Sequence, residues 1–454
     1  MTHRYATLLA VLLTTLVGLT ANAADKPNII LILSDDQSFT DYGFMGHDVI
    51  QTPHLDKLAS QSVLFRRGYV PTALCRPALM TLATGTYAHV NLITGNDPAK
   101  NDINAAYVKE QNKSAKEILI SNVDRFETLP QILAKQGYLS HQSGKWWEGS
   151  YQRGGFTHGM TRGYPKPAGR HGDDGLAIGR EGMAPVFDFM DMAIEQDKPF
   201  FLWYAPFLPH TPHNPPKRLF DQYTAEGRPK TVARYFAMVE WFDETCGQLL
   251  KQLEDKGIAD NTLVIYVTDN GWVQSPKNGS YEPRSKRSPN EGGTRTPIMY
   301  RWPGKIAPAD RPELATSIDI YPTILAAASA DIPDDRPGLN LLPALTTGKA
   351  IARDAIFGES FAHDIYDIQN PEASLLYRWV IQDNLKLLLT YDGNPGKMKY
   401  PPKDVAPQLY DLAKDPLENN NLAKDHPDQV KAMTALLNGW YQPKQAKHSG
   451  NESP

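Results

Sequence analysis

The sequence predicts an α/β protein. A large, mostly parallel sheet lies between layers of helices, and a smaller C-terminal α+β domain follows. Three observations predict it. Apolar runs such as Asn28-Ile29-Ile30-Leu31-Ile32-Leu33 lack polar alternation, the mark of strands buried on both faces. Helical patterns lie between those runs. Beyond Ile332-Pro333-Asp334-Asp335-Arg336-Pro337-Gly338 the pattern shifts to short strand-like runs and one final helix.

Residues 1–23 read as a removable export signal. His3 and Arg4 form a basic head, Ala6 to Leu19 an apolar stretch, and Ala21-Asn22-Ala23 a small-residue cleavage site before Ala24. The stretch is too short and interrupted to span a bilayer, and no later run is long enough. The mature protein is therefore expected to be periplasmic or secreted. The larger domain is expected over 24–335, the smaller over 336–442, and a polar, disordered tail over 443–454.

The first strand run, Asn28 to Leu33, ends in Ser34-Asp35-Asp36. A helix follows over Thr52 to Ser62, with Pro53 in its first turn. Another begins at Cys75, carries Pro77 in its first turn and closes on Thr84-Gly85. Leu129 to Gly137 is a third helix. Gly149 to Gly182 is an irregular, glycine-rich insertion holding Arg153, His158, Arg162, Arg170, His171 and Arg180; structureless segments of this length are usually functional. Pro199 to Tyr204 is a strand leading into Pro209-His210-Thr211-Pro212-His213. A long helix spans Pro229 to Lys256, and Thr262 to Val267 is a strand ending in Thr268-Asp269-Asn270-Gly271. Thr296 to Tyr300 reads as a fourth strand. Strand runs at Ala355–Gly358, Leu375–Ile381 and Leu385–Tyr391, with a helix from Pro427 to Trp440, make the smaller domain.

Net charge is −4, with both signs mixed along the chain. No basic run or basic amphipathic helix points to nucleic acid or a membrane surface. Two cysteines do not make a disulfide scaffold. Cys246 falls on the apolar stripe of the long helix and reads as core, leaving Cys75 unpaired.

In parallel sheets ligands bind beyond the carboxyl ends of the strands, where acids, amides and histidines collect here. Asp35, Asp36, Asp269 and Asn270 are hard oxygen donors suited to Ca²⁺ or Mg²⁺ rather than zinc. Each pair alone reads equally well as a turn or helix cap. Cys75 at a helix start reads as a nucleophile beside an anion site, or as a small core residue capping the helix. Lys145, His210 and Lys286 are unremarkable singly; around a cation they would form a cradle for an oxyanion.

Taken in order, these pieces resemble the type I sulfatases of the alkaline phosphatase superfamily, from about Pro27 to Leu422. The matching motifs are Ile32-Leu33-Ser34-Asp35-Asp36, Cys75-x-Pro77 through Thr84-Gly85, Gly144-Lys145-Trp146, Pro209-His210-x-Pro212 and Thr268-Asp269-Asn270-Gly271. Lys286 with Glu291-Gly292-Gly293-Thr294-Arg295-x-Pro297, and Tyr410-Asp411-Leu412 through Asn421-Leu422, complete the series.

The resemblance implies an alkaline-phosphatase-like fold and a sulfuric ester hydrolase acting on a sulfated carbohydrate. It implies that a formylglycine-generating enzyme converts Cys75 to formylglycine (3-oxoalanine). It further implies that Asp35, Asp36, Asp269, Asn270 and the modified Cys75 hold Ca²⁺, with Mg²⁺ the alternative. His210 would then protonate the leaving alcohol, and Lys145 and Lys286 would hold sulfate oxygens. Two positions depart from the family pattern: Ala78-Leu79 stands for Ser-Arg, and Trp147 for a histidine. Arg153, His158, Arg170 and His171 are candidate substrate-binding residues in their stead. A phosphodiesterase or phosphonate hydrolase on this scaffold, and a non-catalytic glycan binder, are the competing expectations.

Overall fold

Residues Asn28–Ser34 form strand β1, the centre of the molecule. Ile29, Leu31 and Leu33 enter one core and Ile30 and Ile32 the other, so the strand is buried on both faces, as its composition requires. The computed structural model describes residues 26–100, 104–163, 171–224, 227–392 and 394–444. The expected signal segment, 1–23, lies outside these residues. Of the expected tail, 443–454, Pro443 and Lys444 are described and the remainder lies outside the described residues; Lys444 donates its amide to Glu372 (3.3 Å) and accepts from the Tyr391 hydroxyl (2.5 Å).

The other strands of the large sheet are β2 (Val63–Tyr69), β3 (Leu139–Gly144), β4 (His158–Gly159), β5 (Phe200–Ala205), β6 (Thr262–Thr268), β7 (Arg295–Arg301), β8 (Ala309–Arg311) and β9 (Ala315–Thr316). Their order is β9-β2-β7-β6-β1-β5-β3-β4, with β8 also pairing β2. β1 pairs in parallel with β6 (Ser34 opposite Thr268) and with β5 (Ile32 opposite Tyr204). The three carboxyl ends therefore arrive side by side. The expected fourth strand is present as β7, but it runs antiparallel to both neighbours. Pro297 is tolerated there because it faces the irregularity between Phe65 and Gly68 of β2, where a ladder donor is not needed.

Helices cover both faces. On one side, α2 (Cys75–Thr84), α3 (Leu129–Lys135) and α6 (Ile320–Ala327) pack through Leu79, Leu82, Leu133 and Ile324. On the other, α1 (Pro53–Ser60), α4 (Ala184–Glu195) and α5 (Lys230–Asp255) pack through Leu55, Met190, Phe242 and Cys246. Leu341 and Leu345 still belong to the first core, so the large unit's packing continues past residue 335.

The chain then forms a four-stranded antiparallel sheet: β10 (Ala355–Phe361), β11 (Leu375–Gln382), β12 (Leu385–Thr390) and β13 (Gln408–Asp411), in that order. One face carries α7 (Pro427–Trp440) through Met433 and Leu437. The other face meets the large domain, with Trp379 and Leu388 packed beside Tyr69. The Glu359 amide donates to Pro71 O (2.9 Å), tying this sheet to the segment that leads into Cys75.

Candidate active site

β1 runs directly into Asp35 and Asp36. Neighbouring strand residues point to opposite faces, so two adjacent aspartates would normally diverge. Asp36 instead takes a left-handed conformation (φ 65°), and both carboxylates enter one centre. β6 delivers Asp269, whose Oδ1 accepts the Asp36 amide (3.0 Å) and the Asn270 amide (2.6 Å). Asn270 Nδ2 donates to Asp36 Oδ1 (2.7 Å).

β3 ends at Gly144 (φ 86°), where a Cβ would lie 1.7 Å from Ala205 O. Only glycine fits, and the turn places Lys145, whose Nζ donates to Asp35 Oδ1 (2.7 Å). Lys286 Nζ donates to Asp36 Oδ1 (2.5 Å) and to Cys75 Sγ (3.1 Å). Cys75 opens α2, with its sulfur 3.9 Å from one oxygen each of Asp35 and Asp36. His210 follows β5, with Nε2 3.4 Å from Asp36 Oδ2 and Nδ1 donating to Thr211 O (2.5 Å). Residues from six separate stretches of sequence thus meet at one point.

Their electrostatics are under-compensated. Three buried carboxylates face two ammonium groups. Burial pushes Asp35 well above the usual carboxyl range, with Lys145 opposing it. Burial likewise raises Asp269, against Lys145. Burial works against ionised Asp36 as well, but Lys286, His210 and Lys145 outweigh it and hold its carboxyl low. Burial would strip the proton from Lys145 and Lys286, yet the carboxylates keep both charged. Burial pushes the Cys75 thiol far up, against the pull of Lys145 and Lys286. Burial and Lys145 hold His210 well below the ordinary histidine value.

Four buried oxygens here have no hydrogen-bond partner: Asp35 Oδ2, Asp36 Oδ2, Asp269 Oδ2 and Asn270 Oδ1. They belong to the four residues expected to bind a cation. Unsatisfied buried oxygens are costly, and a hard divalent ion satisfies all four at once. Asp35, Asp36, Cys75 and His210 also offer ligand atoms within 4.8 Å of one another. The donor set fits Ca²⁺ or Mg²⁺.

The outer candidates are scattered. Arg153 is a surface residue paired with Asp124 (Nε to Oδ1, 2.9 Å). His158 lies on β4 opposite His141, three residues back from Gly144 and about 10 Å along the sheet. Arg170 lies outside the described residues. His171 does reach the site wall: its ring is edge-on to Trp147 (4.9 Å) and 5.2 Å from Phe207, which stacks on His210 (4.3 Å).

Several contributors escaped the sequence reading. Beside Cys75, Arg76 is fully buried and pairs bidentately with Glu148 (both contacts 2.6 Å), while its Nη1 donates to Asn96 O (3.1 Å). Leu79, standing where the family carries arginine, packs into the core. Trp147, standing for the family histidine, is buried with the Arg76 guanidinium 5.9 Å from its ring. Arg180 clamps the histidine loop, donating to Phe207 O (2.6 Å) and His210 O (3.0 Å). His213 packs against Tyr235 and Trp272, and burial pulls it down to about 4. The insertion's arginines and the doubled histidine were the available signals, but nothing in the sequence separates Arg180 from its neighbours.

The architecture is the sulfatase-like α/β fold, a large mixed sheet with a small antiparallel one. Residues 27–330 match the Sulfatase family, and residues 279–440 match the N-sulphoglucosamine sulphohydrolase C-terminal family. Arylsulfatase A of Homo sapiens is 28% identical over 467 residues, covering 91% of this chain and 87% of its own. N-acetylgalactosamine-6-sulfatase of Canis lupus familiaris is 31% identical over 379 residues, covering 74% and 69%. The structure of Ps i-CgsB in complex with k-i-k-neocarrahexaose superposes with a TM-score of 0.71 at 23% identity, covering 93% of this chain and 94% of that one. The chain belongs to the sulfatase family and is a sulfuric ester hydrolase. Among the described residues, no helix is long and apolar enough to cross a membrane.

Proposed function

We propose that this enzyme removes sulfate from a sulfated carbohydrate outside the cytoplasm, reached through the 1–23 signal. Its nucleophile would derive from Cys75 after conversion to formylglycine by a formylglycine-generating enzyme. One observation carries this reading: four orphaned oxygens converge beside a buried cysteine that Lys286 touches. An oxygen group on the same Cβ would sit within reach of the cation and both lysines.

Asp35, Asp36, Asp269 and Asn270, with the modified Cys75, would hold Ca²⁺; this many oxygen donors suits Ca²⁺ better than Mg²⁺. When in place, the cation supplies positive charge to the sulfate oxygens and the formylglycine hydrate supplies the attacking hydroxyl. The protein's own groups do the rest. Lys145 and Lys286, kept charged, bind and orient the sulfate oxygens and hold the sulfur in line. The incoming anion offsets their repulsion of His210 and favours a proton on Nε2, because Nδ1 already donates to Thr211 O. Nε2 then delivers that proton to the departing alkoxide. Arg180 and the Phe207 ring fix the imidazole for that transfer.

Peptide mass spectrometry of Cys75 from protein made in its native host tests the nucleophile. Formylglycine is expected, about 18 Da lighter than cysteine because CH₂SH becomes CHO. Only unmodified thiol in active protein would refute it. A panel of sulfated oligosaccharides tests the substrate class; turnover of aryl sulfates with none of the sugars would refute that part.

A further inference from the structure

Behind Lys286 lies a cavity of about 230 Å³, between the 283–290 loop and the C-terminal sheet. Arg284, Lys286, Arg287 and Lys399 line it, and among the described residues no aspartate or glutamate does. Lys286 is shared with the active site, since its Nζ touches Cys75 Sγ.

The other three cations differ in how they are answered. Arg284 donates to Glu418 O and lies 3.8 Å from the Glu418 carboxylate. Arg287 and Lys399 have neutral partners. Arg287 lies near Tyr281, where burial pushes the phenol up and the arginine's charge opposes that push. Lys399 donates to Ser280 Oγ (2.6 Å) and stands 3.6 Å from the centre of the Tyr281 ring. Tyr400 donates to Tyr281 O (2.8 Å), so the 398–402 segment is fastened across the large domain at this point. Burial, then Arg287 and Lys286, depress the Lys399 ammonium below its ordinary value. Like charges gathered around a concave, partly desolvated space repel unless an anion joins them. Tyr377 and Tyr400 give the same cavity aromatic faces.

We propose that this cavity binds a second oxyanion of the substrate, a sulfate or carboxylate on the sugar next to the one being desulfated. The proposal rests on the carbohydrate reading above and narrows it to a polyanionic glycan bound across two sugar units, with Lys286 between the two anions. Arg287 and Lys399 act as specificity determinants rather than as catalytic residues.

Calorimetric titration of the intact protein tests it with three probes: a mixture of singly sulfated hexoses, dextran sulfate trisaccharides, and chondroitin sulfate tetrasaccharides. At least one oligosaccharide should bind about tenfold or more tighter than the hexoses. A dextran sulfate preference assigns the second anion as sulfate; a preference for chondroitin sulfate alone assigns carboxylate. Lys399→Gln should erase the preference and Lys399→Arg should keep it, with Arg287→Lys falling between. Lys217→Gln, an exposed surface change, should leave it intact. Melting curves verify that each variant is folded. Equal affinity for hexoses and oligosaccharides, or an undiminished preference in folded Lys399→Gln, overturns the second-anion site alone. Binding of no sulfated sugar at all overturns the carbohydrate reading and this site with it.

Discussion

Two buried clusters of charge flank Cys75, and they are built on opposite principles. Arg76 and Glu148 close on each other: two contacts of 2.6 Å, both side chains fully buried, and a further donor spent on Asn96 O. Asp35, Asp36 and Asp269 with Asn270 stay open, each with an oxygen that nothing in the protein satisfies. Both are expensive to bury. The first is complete within the chain and serves structure, tying the helix that Cys75 opens to the Lys145–Glu148 loop. The second is incomplete without something brought from outside. Burial alone therefore says little about function; an unfilled hydrogen-bonding account around buried charge says much more.

The sharpest separation comes from Asp269→Asn. It should cut kcat/KM for any sulfate ester by about 10³-fold, as loss of a preorganised charge at the reacting centre does. At the same time metal-free Asp269→Asn should melt no lower than metal-free wild type, because its charge is disfavoured by burial there. A clear drop in metal-free melting temperature would break the contrast.

Glu148→Gln should do the reverse. It strands the Arg76 guanidinium and should cost about 3–5 kcal/mol in denaturant unfolding. The double change Arg76→Met with Glu148→Leu should recover most of that loss. If the double variant is as unstable as the single, the pair is more than a closed structural device.

Chelation comes next in size. An ion bound only by the folded state stabilises by mass action, about 2.7 kcal/mol at a free concentration one hundred times Kd. Prolonged EDTA treatment should lower the melting temperature, and Ca²⁺ should restore both stability and activity. No change in either would leave the orphaned oxygens unexplained.

The smallest effect concerns a buried carboxylate of a third kind. Asp243 accepts the His54 and Leu55 amides (3.1 and 2.7 Å) at the start of α1, faces no cation there, and is pushed up to about 7 by burial. A carboxyl raised in the folded state holds its proton better folded than unfolded. Its contribution to stability is present below about pH 4 and is lost as pH rises through about 7. Asp243→Asn should reduce the pH dependence of the melting temperature across that window, leaving the shares of the other groups that burial shifts, Asp41 (also raised to about 7), Asp35, Asp269 and His213 among them.

The strands that carry the centre were legible because their composition is forced. β1, β5 and β6 are buried on both faces and must be apolar throughout, so their ends, and the side chains at those ends, stand out. β3 is nearly as buried but reads Leu-Ser-His-Gln-Ser-Gly, with no apolar signal. Ser143 donates to Trp203 O (3.0 Å) and Gln142 to Gly144 O (2.9 Å), while His141 Nδ1 finds no partner among the described residues. β2 was hidden by Arg66, Arg67 and Gly68 in its second half. The reversed direction of β7 follows from pairings distant in sequence, which local composition does not encode. Arg76 sat next to Cys75 in plain view, but an arginine reads as solvated until its partner, 72 residues on, is known.

The left-handed turn at Asp36 has a consequence for anyone grafting or redesigning this centre. Two carboxylates on adjacent positions are brought into one centre by a backbone torsion, not by the side chains. Asp36→Gly would keep that torsion and lose the carboxylate, whereas Asp36→Ala would lose the carboxylate and strain the torsion as well. Both variants lack the carboxylate, so a difference between them in affinity for the proposed cation reports the shape of the peptide alone.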